Sequence, residues 1–167
     1  GLPAATVIAS SAPATAKHFQ ELVGTPMFRA YTDADVVGVE LSGALKNIVA
    51  LGAGAVDGMG YGDNAKAGFI TRGLAEITRL ACAAGARRDT LAGLTGLGDL
   101  VLTCTGELSR NRTVGYEMGR GRTLGSRALQ DTLFPPEDFP EQWLERGGDA
   151  RRTGRSRLAK HPNTRPP

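Results

Sequence analysis

Apolar positions along the chain change their period twice, and those changes divide it. From Leu2 to Ser10 the residues are apolar and β-leaning and end in small polar ones, which predicts a strand. Ala14 to Val23 carries Phe19, Leu22 and Val23 at helical spacing, and Met27 to Tyr31 is a second short strand candidate. Strand, helix, strand is the order of a βαβ unit. Here it stands without the strands it should pair with, so sheet edges and apolar surface are expected to be left open.

From Asp33 onward the period is helical. A helix is predicted from about Asp35 to Ala55, with Leu41, Leu45 and Ile48 on an apolar face and Ser42, Lys46 and Asn47 in a different sector. Its many Gly and Ala residues lower helix propensity but permit close backbone approach. Gly58, Gly60 and Gly62 are expected to break it. The next helix, about Asn64 to Ala84, has the clearest stripe: Ile70, Leu74, Ile77, Ala81 and Ala84. Arg72 and Glu76 are an i,i+4 pair on another face, Lys66 is a charge at the helix start, and Gly85 suits the stop. A third helix is expected to begin at a capping Asp89 and end near the glycines of Gly93 to Gly98. Asp99 to Thr105 is another apolar helical segment, and Ser109 is a good cap for a helix running toward Met118. The fold class predicted is mainly α.

Composition changes this picture little. A chain of 167 residues with 41% hydrophobic residues is long enough for one domain with a real core. No uninterrupted apolar run approaches the roughly 20 residues of a membrane span. The start has no Met and no basic leader, so no signal peptide is read there, and the chain reads as beginning in mid-protein. Cys82 and Cys104 have no CxxC partner, which fits small-hydrophobe packing in a reducing compartment, and with only His18 and His161 a zinc site is not expected. The net charge of +3 comes from the end, where Arg151, Arg152, Arg155, Arg157, Lys160 and Arg165 face only Asp149. Lacking interleaved aromatics and a reader motif, that end is not read as a nucleic-acid partner site.

Two glycine series, Gly52 to Gly58 and Gly119 to Gly125, have spacings that resemble a dinucleotide-binding fingerprint. A phosphate-cradling loop must follow a strand and open a helix. Neither series does, so both are read as helix ends or close-packing sites.

The candidate chemistry lies in three places. Lys46 is a charge in an otherwise small-residue, apolar helix, where desolvation and a partner can tune a lysine for proton exchange. Asp99 can hold that lysine or a substrate hydroxyl. Ser109, Arg110 and Asn111 open a helix, where free N–H groups and the dipole favour an anion, and Arg110 adds a charged fork suited to phosphate. With Asn47, these residues favour a small phosphorylated polyol. Each also has a bland reading: Asp99 as a helix cap, Ser109 as a cap only, Lys46 and Arg110 as surface charges.

The segments GALKNIVALGAG, ITRGLAEITRL, GLTGLGDLVLTCT and SRNR, in that order, resemble the C-terminal half of the bacterial NAD(P)-dependent glycerol-3-phosphate dehydrogenases, from about Gly1 to Leu124. The resemblance implies the helical substrate domain of the 6-phosphogluconate-dehydrogenase-like type, at residues 35–124. Residues 1–34 would be the last βαβ unit of an incomplete NAD(P)-binding Rossmann domain. It implies interconversion of sn-glycerol 3-phosphate and dihydroxyacetone phosphate with NAD(P)H, in the supply of glycerophospholipid precursors. Lys46 matches the catalytic lysine. Lys46, Asn47, Asp99, Ser109, Arg110 and Asn111 match substrate-contacting positions, and Arg110 would also reach the cofactor. The family is usually a cytosolic homodimer. Residues 125–167 depart from it abruptly, either as a disordered tail or, the favoured reading, through a change of reading frame near Leu124. The alternative to an enzyme is a catalytically inactive helical fragment that associates with a partner.

Overall fold

The computed structural model describes residues 2–123; the expected break after Leu124 and the basic end lie outside them. Strand β1 (Ala4–Ala9), helix α1 (Pro13–Val23) and strand β2 (Phe28–Asp33) form the expected βαβ unit. The strands pair in parallel, Ala4 opposite Phe28 through Ala9 opposite Asp33. Gln20 of α1 reaches across to donate to the Ala30 carbonyl at 2.7 Å. Ala16 packs on the strands, whereas Phe19 and Leu22 are exposed, as the lack of further strands led one to expect.

The helical part is built around α2 (Val36–Gly58), which is contacted by α3 (Gly62–Ala83), α4 (Arg88–Ala92), α5 (Asp99–Thr105) and α6 (Arg110–Gly119). Val49, Ala50 and Ala53 of α2 meet Ile70, Ile77 and Ala81 of α3, with Leu91, Leu100 and Cys104 closing the core. Burial pushes the Cys104 thiol up to about 11, in keeping with its packing role.

The buried stripe of α2 corrects the sequence expectation. It runs through Gly38, Ser42, Val49, Ala50, Ala53 and Gly54, while Ile48 is 68% exposed and Leu41 and Leu45 lie at the core's margin. The reason is proximity: small residues face inward because neighbouring backbones come close. Ser42 is tolerated inside because its hydroxyl donates to the Gly38 carbonyl at 2.7 Å. The helix is also long and apolar enough, by length and composition, to cross a membrane, contrary to the run-length reading. Core helices share that property, and this one carries Glu40, Lys46 and Asp57.

The closest approach is between α2 and α6. A Cβ on Gly54 would collide with the Arg112 carbonyl, one on Gly58 with that of Tyr116, one on Gly115 with that of Leu51, and one on Gly119 with that of Ala55. Two glycines spaced by four on each helix thus let the backbones touch, the close-packing role read for these glycines.

Elsewhere the boundaries shift by small amounts. α2 stops at Gly58, as the glycines led one to expect but three residues beyond the predicted Ala55, and α3 starts at Gly62, two residues before the predicted Asn64. Ala84, expected on the α3 stripe, is exposed, and Gly85 follows in the left-handed region at φ 100°. Arg72 and Arg79 both bond Glu76 on the exposed face. Asp89 does not cap α4, whose cap position is Arg87. Asp35 does that work from a distance. Its carboxylate accepts from Gly38 N at 2.9 Å, capping α2, and from Arg87 N at 2.7 Å, seating α4. The Arg87 side chain returns to Asp33 at 2.6 Å and so ties the end of β2 to the same point.

Burial raises the Asp35 carboxyl, but the N–H groups of Arg87 and Gly38 outweigh it and hold Asp35 below its ordinary value. Its stabilisation is therefore complete above the ordinary carboxylate pKa of about 4 and disappears as pH falls through the lower folded value. Asp35→Asn should lower the urea midpoint at neutral pH, with a deficit that shrinks below about pH 4. A deficit independent of pH would contradict this assignment. The glycine contact is checked by a pair of substitutions in the same assay. Gly115→Ala should cost about 1–3 kcal/mol or more by overpacking. Gly43→Ala, where a Cβ meets nothing within 4 Å, should stabilise by up to about 1 kcal/mol.

Candidate functional site

Lys46 and Asn47 are consecutive on α2, so they point about 100° apart around the helix. Each meets a different neighbour. Lys46 Nζ donates to Asp99 Oδ2 of α5 at 2.5 Å, and Asn111 Nδ2 of α6 donates to Asn47 Oδ1 at 3.1 Å. The partners are far apart in sequence, yet adjacent positions on one helix bring both pairs together. The Lys46 and Asp99 side chains are 23% and 33% exposed, open to a small ligand but screened from bulk water on most sides.

Asp99 owes its direction to the segment before it. α4 ends at Ala92, before an extended Gly93, as the glycines led one to expect, and Leu94–Gly98 then form a π-helical turn in which Gly98 N reaches back five residues to the Gly93 carbonyl at 3.1 Å. Gly96 lies against the Leu91 backbone, where a Cβ would not fit. Asp99 is the first residue of α5, and its carboxylate is the group that Lys46 meets. The lysine partner offered to Asp99 is the one the structure supplies, and the bland reading of Asp99 as a helix cap is not met, since α5 has no side-chain cap. Thr103, one turn on, donates its hydroxyl to the Asp99 carbonyl at 2.6 Å and lies 3.4 Å from Asp99 Oδ1. Sequence reasoning missed Thr103; its i,i+4 spacing from Asp99 was the available signal.

Ser109 caps α6 as expected, its Oγ accepting from Arg112 N at 3.3 Å. Arg110 is the first residue of α6 and is exposed, while Asn111 is turned inward to Asn47. Arg112, two residues beyond Arg110, lies on the far side of the helix and donates to Asp57 at 2.9 Å. Lys66, read as a helix-start charge, also meets Asp57, at 3.0 Å, and Asp63 at 3.1 Å. Lys66 does lie near the start of α3, but its side chain is only 17% exposed and is turned toward Asp57. Among the described residues no group of three His, Cys, Asp or Glu is placed to hold a metal.

A cavity of about 260 Å³ opens beside Asp99, between Ala5, Thr6 and Val7 of β1 and Leu94, Thr95, Gly98 and Leu102. One wall is therefore a strand edge of the βαβ unit, and the other carries the carboxylate that holds Lys46. Among the described residues, neither strand leads through a glycine-rich turn into a helix: β1 is followed by Ser10 to Ala12 and β2 by Ala34 and Asp35. A dinucleotide's pyrophosphate has no cradle of that kind here.

Comparison with known proteins gives the family. The family described as "NAD-dependent glycerol-3-phosphate dehydrogenase C-terminus" matches residues 35–133, nine residues beyond the expected limit at Leu124. The NAD(P)+ glycerol-3-phosphate dehydrogenase of Geobacter sulfurreducens is 59% identical over 123 residues, 74% of this chain and 37% of that protein. The crystal structure of glycerol-3-phosphate dehydrogenase from Coxiella burnetii superposes with a TM-score of 0.73 at 43% identity, over 79% of this chain and 39% of that one. The enzyme of Saccharomyces cerevisiae does so at 0.67 and 30%, over 83% and 48%. The chain thus spans little more than a third of the length of the curated relatives it matches. Because the match covers more than half of the sequence and these helices superpose on solved members, the chain belongs to the family of NAD-dependent glycerol-3-phosphate dehydrogenases, as part of their C-terminal region.

Proposed function

We propose that this chain supplies the substrate-binding half of an NAD(P)-dependent glycerol-3-phosphate dehydrogenase, which interconverts sn-glycerol 3-phosphate and dihydroxyacetone phosphate. The observation that carries the reading is the pair of contacts made from consecutive residues, Lys46 to Asp99 and Asn47 to Asn111, beside the first turn of α6. In this reading residues 1–34 close a nucleotide-binding domain, residues 35–124 form the substrate domain, and the complete enzyme is cytoplasmic and dimeric, as the family resemblance implies.

The division of labour follows from chemistry. Ser109, Arg110 and Asn111 bind the phosphate: the helix start offers N–H groups and a positive dipole end, and Arg110 adds a permanent charge. Asn47 and Asn111 orient the carbon chain through their amides. Lys46 handles the proton at C2. As ammonium it donates to the ketone oxygen during reduction, and in the reverse direction it takes the hydroxyl proton as the C2–H bond breaks. Asp99 keeps Nζ aimed and stabilises its charge. When bound, the cofactor would supply the hydride as NAD(P)H in reduction and take it up as NAD(P)+ in oxidation, and Arg110 and the wall of the β1 cavity are what this chain would offer to its reactive end.

The test is reconstitution. This chain, joined to or mixed with a nucleotide-binding half, should restore dihydroxyacetone phosphate reduction, followed by loss of NADH absorbance. A folded complex without turnover would overturn the reading. Lys46→Ala in that complex should reduce kcat by about 10²–10⁴-fold while leaving substrate affinity much less changed. Near-normal turnover would remove Lys46 from the proton step. For Arg110→Ala, losing a charge-assisted bond of about 1.5–3 kcal/mol should raise KM for the phosphorylated substrate by roughly ten- to a hundredfold. An unchanged KM would exclude phosphate contact.

A further inference from the structure

Beneath the site, three helices meet at one carboxylate. Asp57, in the last turn of α2, accepts from Arg112 of α6 at 2.9 Å and from Lys66 of α3 at 3.0 Å, and Lys66 also reaches Asp63 at 3.1 Å. The Asp57, Lys66 and Arg112 side chains are 13%, 17% and 23% exposed. None of them belongs to the six residues assigned to the substrate.

We infer that Arg112 is a positioning residue for the anion-binding end of the site, fixing the first turn of α6, and with it Arg110 and Asn111, through its bond to an Asp57 that Lys66 holds in place. The inference rests on the phosphate reading given above. Helix geometry supplies the lever. Residues two apart on a helix point to nearly opposite sides, so a turn that presents Arg110 to solvent must present Arg112 to the interior. Asn111, between them, faces Asn47. Holding Arg112 therefore fixes the rotation of the turn about its own axis.

Stability alone is a weak reason for this arrangement. The body of α6 is already seated on α2 by backbone contacts at Gly115 and Gly119. Arg112 Nε is buried and has no hydrogen-bond partner among the described residues. An unpaired buried donor costs free energy, and half-buried charges are seldom a net gain over apolar packing. The glycine contact reaches as far as the Arg112 carbonyl, which lies against Gly54; what the network adds is hold on the two residues before it, Arg110 and Asn111. The network is held in its charged form. Burial pushes Asp57 up, but the bonds from Lys66 and Arg112 outweigh it and keep Asp57 below its ordinary value, while Asp57 and Asp63 raise Lys66.

The test is NMR on the full 167-residue chain. Arg112→Met should lower the backbone order parameters of Arg110 and Asn111 from the rigid range near about 0.85 to below about 0.6. The Asn111 side-chain amide should lose the shift it owes to Asn47, while Gly115 and Gly119 keep their hydrogen-exchange protection. Rigid, unshifted Arg110 and Asn111 in the folded variant would overturn the inference. Asp57→Asn keeps the shape and removes the charge; it should reproduce the loosened turn, and it decides the matter if Arg112→Met does not fold. Arg112→Lys, which restores a donor to Asp57, should recover much of the lost order; no recovery would count against a role through that bond. Inorganic phosphate supplies the functional arm. It should shift the Arg110 and Asn111 amides of the wild-type chain, and the two loosened variants should need a severalfold higher concentration. A wild-type chain indifferent to phosphate would refute the phosphate reading, and the order parameters would still decide whether Arg112 fixes the turn.

Discussion

The contact on which the site depends is the one between α2 and α6, where backbone lies against backbone with no side chain between. Gly54, Gly58, Gly115 and Gly119 make it possible, and each would clash if it carried a Cβ. Such an interface has little freedom to slide, because the carbonyls of one helix fill the gaps left by the glycines of the other. That rigidity matters for Asn47 and Asn111, whose amides meet at 3.1 Å only if the helices keep their register. The glycines lower helix propensity in both segments. The separation they permit places polar groups from both helices within one ligand's reach.

Three carboxylates in this fold sit at joints between elements. Asp35 joins the end of β2, the start of α2 and the start of α4, and Asp57 joins α2, α3 and α6. Asp99 joins α2 to α5 through Lys46. Each carboxylate is placed where several donors converge, which is how a protein interior tolerates charge at all. The third carboxylate is more exposed than the other two, and it lines a cavity itself. In the function proposed above, this is the joint that exchanges a proton with the substrate.

Much of this was legible in the sequence because it is written in local signals. Ser109 as a cap, Gly85 as a stop, the stripe of Ile70, Ile77 and Ala81, and the strand–helix–strand start follow from spacing and turn chemistry. The residues proposed for the substrate came from segment likeness, and the structure brings Lys46 to Asp99 and Asn47 to Asn111. What stayed hidden has a common cause. Burial of Ser42 instead of Ile48, capping of α4 by Asp35 across 52 positions, and the inward turn of Lys66 depend on which backbones come close, which local periodicity does not encode. A run of glycines reads as a break whether the chain turns away there or coils more widely.

The wide turn at Leu94–Gly98 shows what that ambiguity conceals. A π turn admits one residue more than an α-helix would at the same place, so everything after it is out of phase by about 100° with an uninterrupted helix. The direction of the Asp99 carboxylate is thus set by a count of residues upstream as much as by their kind. Along this short stretch, between Leu91 and Asp99, the number of positions matters together with the missing side chain at Gly96. Losing one position would leave the helix intact and its carboxylate facing elsewhere.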